Sequence, residues 1–493
     1  MNESQNMNHT RLFQRLALSA AVLLAGCSMI PAYERPDAPV AADWPALSTT
    51  AAAGTMGNGV AAADVDWQGF FNDPQLRQLI DVALRNNRDL RVAVLNIEQA
   101  RAQFQIRRAD QWPTIGAVAT GSRQPASNGG ITSIYTAGLA LTAYELDFFG
   151  RIASLKEAAL SQYLATEEGR KTAQISLVAA VANTYLSLLA DEELIGITRQ
   201  TLATREDSFR LSKLRFDNGV SSELDVRQAE SLIEAARVSL AQLTRQRAQG
   251  QNALVLLLGQ PATGELAVAL PAGKGLADMP VMADVPAGLP SDLLTRRPDV
   301  RQAEQLLLAS NANIGAARAA FFPRISLTAS AGSASSHLGE LFQSGSFGWT
   351  LAPQLFLPIF EAGRNRAGLA SAAVQRDIAV AQYEKSIQTA FREVADALAG
   401  RATLGEQLRA SQAQANAEGV RLRLSSLRYQ NGIASQFDLL DAQRSLFAAQ
   451  QAVVQTRLAQ LQSQVTLYKA LGGGWKEPAE AAQAVSASGA SLP

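Results

Sequence analysis

One cysteine and two histidines occur in the 493 residues of this chain. A single cysteine excludes an intramolecular disulfide, even in a compartment that permits one. His9 lies near the start and His337 in a Gly/Ser-rich stretch. A Ser-His-Asp triad or a His-based zinc site would have to use His337, which reads as a solvated loop residue. Gly273-Lys274 lacks both the earlier glycine and the Ser/Thr of a phosphate loop. No cofactor and no catalytic or metal site is expected, and the lack of Met/His clusters argues against a specialised copper site. Lys+Arg and Asp+Glu both number 44, so the formal net charge is zero. Nucleic acid as a partner would need a clustered basic surface, which this balance does not suggest. Aromatics are sparse, and Ala, Gln, Leu and Arg dominate long stretches, a composition that favours extended helices. After Cys27 no continuous run of about 20 apolar residues occurs, so no transmembrane helix is expected.

Cys27 itself ends the run Leu24-Ala25-Gly26-Cys27. Arg11 and Arg15 precede an apolar stretch from Leu16 to Ala25, the layout of a secretory signal over residues 1–26. The run resembles a bacterial lipobox. That resemblance implies a covalent lipid on Cys27 (diacylglycerol and palmitate-type acyl chains) as the new N-terminus. Each buried CH₂ of such chains contributes about 0.8 kcal/mol, and several chains together anchor stably. Ser28 at the next position implies sorting to the outer membrane.

Proline is absent from Ala126 to Gln260 and again from Ile359 to Glu477. Proline inside a helix costs about 3 kcal/mol, so both stretches permit very long helices. The chain also repeats itself. Arg215-Phe216-Asp217-Asn218-Gly219-Val220 is echoed by Arg428-Tyr429-Gln430-Asn431-Gly432-Ile433, an offset of 213 residues set by Gly219 and Gly432. Leu211, Ser222, Asp225, Ala229, Leu254 and Gly259 recur in that register as Leu424, Ser435, Asp438, Ala442, Leu467 and Gly472. Upstream, Asn87-Arg88-Asp89-Leu90 matches Arg297-Pro298-Asp299-Val300 at an offset of 210 residues, the separation of Pro113 and Pro323. Two copies are too few for a solenoid and indicate a duplicated module. The expected organisation is a signal over 1–26, a lipidated extended segment over 27–65, a first repeat over 66–260, a Pro/Gly-rich connector over 261–290, a second repeat over 291–474 and a disordered tail over 475–493.

Each repeat predicts a long helix, an Asn-Gly turn and a second helix. The first helix spans Ile152 to Phe216, and its counterpart runs from Arg364 to Arg428. In the last helix Leu440, Phe447, Val454, Leu461 and Tyr468 lie seven apart. Ala442, Ala449, Thr456, Ser463 and Ala470 form a parallel row of small residues. A strict seven-residue period imposes coiled-coil packing, and small residues permit close approach. Each repeat also holds two segments of period two, about 10 residues long, the length of a tilted transmembrane strand. They are Thr114 to Arg123 with Tyr135 to Leu146, and the stretches beginning at Arg324 and at Ser346. In Tyr135 to Leu146 the alternation places Leu141 and Ala143 on one face and Thr142 and Tyr144 on the other. Four strands cannot close a membrane barrel, and open edges do not occur in lipid, so the chain is expected to oligomerise.

The motifs Arg88-Asp89-Leu90, Ala109-Asp110-Gln111-Trp112-Pro113, Tyr144 to Arg151, Pro358 to Arg364 and Leu467 to Trp475, in this order and spacing, resemble the TolC-like outer-membrane factor family over residues 60 to 475. The resemblance implies a mainly α fold with a membrane β-barrel. Four strands per chain would complete a twelve-stranded barrel in a homotrimer, with a long coiled-coil α-barrel and a mixed equatorial belt. It implies an outer-membrane exit duct, not an enzyme, lipid-anchored and projecting into the periplasm. Its partners would be a periplasmic membrane-fusion adaptor, an inner-membrane resistance-nodulation-division pump and outer-membrane lipid. Drugs and other small amphiphiles would pass through it. A protein-secretion duct, or a structural envelope lipoprotein without a channel, remains the alternative. The adaptor is expected at the turns, on Gly219, Val220, Ser221 and Ser222 and on Gly432, Ile433, Ala434 and Ser435. Glycine there permits the turn and close backbone approach. A gate is expected just past the second turn. Phe437, Asp441 and Arg444 share one helical face, and Arg444 is expected to pair with Asp441. The resemblance adds Tyr429 to the constriction.

Overall fold

The computed structural model describes residues 28–45, 62–125, 129–260, 275–280, 282–283, 285–286 and 290–476. The signal, Cys27, most of the 261–290 connector and the chain beyond Lys476 lie outside the described residues. The elements in chain order are α1 (Trp67–Phe70), α2 (Pro74–Asn86), α3 (Arg88–Ala109), β1 (Ile115–Pro125), β2 (Ile131–Leu146), α4 (Arg151–Asp217) and α5 (Glu223–Leu257). The second repeat follows with α6 (Asp292–Arg296), α7 (Pro298–Ala319), β3 (Arg324–Ser335), β4 (Phe347–Phe356), α8 (Arg364–Gln430) and α9 (Gln436–Ala470). The duplication is carried into the helices without slippage: α4 and α8 have 67 residues each, α5 and α9 have 35. Proline-free sequence of high helix propensity accounts for their length.

Two compact units form, and they cut across the repeats. Among the described residues, one contains those within 28–37, 96–167 and 302–384, the other those within 38–95, 168–301 and 385–476. The first unit holds a single antiparallel sheet in the order β1-β2-β3-β4. Thr120 and Thr136 hydroxyls bond at 2.6 Å across β1 and β2, and Ser330 and Thr350 at 2.7 Å across β3 and β4. Gly138 pairs with Gly332, where a Cβ on either would lie within 2.6 Å of the facing backbone, so these strands approach as only glycine allows. One expectation is corrected here. The alternation of β2 breaks at a bulge between Leu141 and Tyr144, with Ala143 at φ 50°. A bulge inserts an unpaired residue and increases the local twist, so Ala143 does not continue the face of Leu141. The strands also run further than the periodicity indicates, β3 reaching Ser335.

In the same unit the segment after Ser28 runs extended along α7. Arg35 grips Glu304 with Nε at 2.8 Å and Nη2 at 2.9 Å, and the Tyr33 hydroxyl donates to Glu304 at 3.1 Å. The Asn311 amide donates to the Pro31 carbonyl at 2.8 Å.

The second unit has the larger core. Phe70 stacks on Tyr468 with centroids 4.0 Å apart, and Phe71 meets the same ring edge-on. Leu76, Leu79, Ile80, Leu186 and Leu254 are fully buried in this unit. The Tyr185 hydroxyl donates to Asp73 at 3.0 Å. In α9 the small row is the more completely covered one: Ala442, Ala449, Thr456 and Ala470 are all buried, as close helix packing requires. Helix α4 contains an 18-residue window apolar enough to cross a bilayer by composition, which the search for apolar runs does not anticipate. Two thirds of that window is buried inside the fold, so core packing accounts for it.

Candidate functional site at the helical turns

Both Asn-Gly turns are built alike. Gly219 and Gly432 each adopt φ 71°, the left-handed conformation that ends a helix. Val220 N–H donates to Arg215 C=O and Ile433 N–H to Arg428 C=O, both at 2.8 Å. Gly219 N–H reaches Phe216 C=O, and Gly432 N–H reaches Tyr429 C=O. These are paired Schellman motifs. Ser222 and Ser435 then cap α5 and α9, each in a capping box with Asp225 or Asp438. The Ser435 hydroxyl and backbone N–H hold the Asp438 carboxyl below its usual range.

Nothing lies within 4 Å of a Cβ built on Gly219 or Gly432, so their glycines answer to φ and not to crowding within the chain. The projecting groups are Val220, 73 % exposed, and Ile433, 69 % exposed. Ser221 bonds to the Ser212 carbonyl at 3.4 Å, and Ala434 is half-buried beside it in sequence pattern.

Past the second turn the four residues expected at a gate separate. Phe437 is exposed and Arg444 largely so. Asp441 lies 3.5 Å from Arg444, but its closer partner is Arg421 of α8. Arg421 also binds Glu418 at 3.1 Å and the Ser445 hydroxyl at 3.3 Å. The Asp441 and Glu418 hydrogen bonds raise the pKa of Arg421. Tyr429 stands apart from this face. It is buried, with the Arg215 guanidinium 4.6 Å over its ring and its hydroxyl 3.3 Å from Gln436. Sequence reading missed Arg421, although the signal was there: Arg421 and Asp441 are each ten residues from Asn431, so a hairpin turning there brings them together.

The two hairpins meet along a polar seam. Gln436 Nε2 donates to Ser212 Oγ at 2.6 Å and Gln443 Nε2 to Ser208 Oγ at 2.8 Å. The Arg205 guanidinium lies 5.1 Å over the Phe447 ring. Burial, and then the charge of Arg444, lower the pKa of Arg205. Such an arrangement offers helix ends tied by small polar contacts. His337 is exposed in the β3–β4 connection.

The outer membrane efflux protein family model matches residues 79–260 and 289–473, one match per repeat. The probable efflux pump outer membrane protein TtgC of Pseudomonas putida is 51 % identical over 475 residues, covering 95 % of this chain and 96 % of that one. Outer membrane protein OprJ of Pseudomonas aeruginosa is 47 % identical over 468 residues, covering 94 % and 96 %. Among solved structures, the open state of the MtrE outer membrane channel of Neisseria gonorrhoeae is 42 % identical with a TM-score of 0.81, covering 91 % of this chain and 99 % of that one. A membrane protein from Pseudomonas aeruginosa superposes with a TM-score of 0.82 at 45 % identity, covering 90 % and 100 %. With a duplicated helical module, a four-stranded sheet and matches across both repeats, this chain belongs to the outer membrane efflux protein family and is an outer-membrane channel component of an efflux pump.

Proposed function

We propose that three copies form the exit duct of a tripartite pump, taking small apolar and amphiphilic compounds from an inner-membrane resistance-nodulation-division pump through a periplasmic adaptor to the exterior. The observation that carries this reading is the sheet. β1 and β4 are its two free edges among the described residues. Ile115, Val118, Phe347, Trp349, Leu351 and Leu355 on these edge strands are exposed. In lipid every backbone group needs a partner, so β4 of one copy must pair with β1 of another, and three sheets give twelve strands. Closure repeats every contact about the axis. The exposed Val220 and Ile433 then form a ring of apolar contacts for the adaptor, and Phe437, Asp441, Arg444 and the neighbouring Tyr429 form the gate. Relatives named for toluene and for antibiotic efflux support an apolar or amphiphilic cargo. Cys27 carries the lipid, and transport itself involves no catalytic step and no cofactor.

Purified protein in detergent should run at three times the chain mass and give discrete conductance steps in planar bilayers. A monodisperse monomer without conductance would end the duct reading. Palmitate labelling should be lost in Cys27→Ala; label retained in that variant would refute the lipid assignment.

A further inference from the structure

The constant offset of 213 residues makes the chain a map of a contact it cannot make alone. Helix α4 carries onto α8 and α5 onto α9, residue for residue. Within the chain, α4 meets α9 along the Gln–Ser seam. In a ring of three duplicated chains, hairpins alternate, so every second seam joins two copies. The duplicate of α4–α9 is α8 of one copy against α5 of the next. Ser208 and Gln443 become Arg421 and Glu230. Ser212 and Gln436 become Ser425 and Glu223. Arg205 and Phe447 become Glu418 and Glu234.

Resting on the trimeric reading above, we infer that Arg421 faces Glu230 of the partner subunit and forms the charged latch of the seam between copies near the turns. Three observations carry it. Gln436 and Gln443, buried in the seam within the chain, have counterparts Glu223 and Glu230 with side chains 66 % and 44 % exposed. Arg421 is 45 % exposed, and its counterpart Ser208 is half-buried where it accepts from Gln443. The charges are complementary where the duplicate predicts contact: an arginine on α8 and a glutamate on α5. Within its own chain Glu230 is held by Arg227 at 2.8 Å, and Arg421 by Glu418 and Asp441, so the contact between copies adds to these pairs. One level along, Glu418 and Glu234 would oppose each other, each beside an arginine of its own chain, Arg421 and Arg237. The two seams therefore differ in chemistry. The one within the chain is hydrogen-bonded, with Arg205 over the Phe447 ring; the one between copies pairs opposite charges, and Arg421 is common to it and to Asp441.

Cysteine pairs test the register, because the chain has only Cys27 of its own. Arg421→Cys with Glu230→Cys, treated in whole cells with a short bis-maleimide, should give a ladder at two and three chain masses. Ser208→Cys with Gln443→Cys should give an altered monomer band and no ladder, and the parent chain sets the background. Glu230→Arg, which leaves the Arg421–Asp441 pair in place, should lower the temperature at which the trimer is lost on gels, and Glu230→Gln should lower it less. No ladder from a protein that still runs as a trimer would overturn the latch while leaving the duct intact. A protein that runs as a monomer would overturn both. A ladder with equal falls for Glu230→Arg and Glu230→Gln would keep the contact and overturn its ionic character.

Discussion

Arg421 donates from Nη2 to the Asp441 carboxylate across the α8–α9 hairpin, so the acidic residue on the proposed gate face is tethered to the opposite helix. Arg444, one turn along, is only the second partner at 3.5 Å. Exposed ion pairs are weak, so two of them hold the hairpin without locking it. Asp441→Asn weakens both, and the open population should rise. Larger single-channel conductance and entry of vancomycin are expected at normal trimer levels. Unchanged conductance would place the constriction elsewhere.

Val220 and Ile433 are the apolar groups that the turns project. Replacing the neighbouring glycines would strain backbones held at φ 71°, whereas Val220→Asp with Ile433→Asp keeps both Schellman turns. Placing carboxylates on an apolar docking surface costs their desolvation, several kcal/mol when buried. The double variant should lose efflux while its outer-membrane level and heat stability stay at wild type. Full resistance would show that the adaptor docks without these side chains.

The duplication made the helices legible. Lengths of 67 and 35 residues follow from proline-free runs closed by Asn-Gly, and both hairpins ended within two residues of expectation. Strand existence was legible from period-two alternation, but the bulge at Ala143 was not, because nothing in Leu141-Thr142-Ala143-Tyr144 signals a positive φ. The partners of the turn residues were hidden for a different reason. Arg421 with Asp441 and Gln436 with Ser212 lie on different helices, and helical periodicity reports faces, not which face meets which. The interleaving of the two compact units was hidden likewise, since repeats are read along the chain and packing is not.

Asn87 and Arg297 occupy matching positions and do matching work. Asn87 Nδ2 donates to Leu257 C=O at 2.9 Å, and Arg297 Nη1 donates to Ala470 C=O at 2.9 Å, the last residues of α5 and α9. Arg297 additionally pairs with Asp299 and with Glu393 at 2.9 Å. Its side chain is 7 % exposed. Arg297→Ala leaves two carboxylates without their cation, a loss of about 3 kcal/mol. Asn87→Ala removes two hydrogen bonds, that to Leu257 C=O and the one its Oδ1 accepts from Leu90 N–H at 2.9 Å, about 2 kcal/mol together. The temperature at which the native oligomer is lost on gels should fall further for Arg297→Ala than for Asn87→Ala. Equal falls would mean that the carbonyl contact alone matters.

Asp191 is buried in α4 with Gln246 Nε2 donating to its Oδ1 at 2.9 Å. Burial pushes its carboxyl up to about 6. In the unfolded chain the same group titrates near about 3.9. As pH rises from about 4 to about 6, the unfolded state gives up this proton while the folded state keeps it. The folded state then binds more protons, so the contribution of Asp191 to stability falls across that window and stays low above it. Two pH units correspond to about 2.7 kcal/mol, and residual solvation reduces this to about 1 to 2 kcal/mol. Asp191→Asn keeps the acceptor for Gln246 and removes the titration. Its stability relative to wild type should therefore grow between pH values of about 4 and about 6 in denaturant titrations, and level off at neutral pH. A constant difference across the window would show that the carboxylate reaches solvent or a cation when ionised.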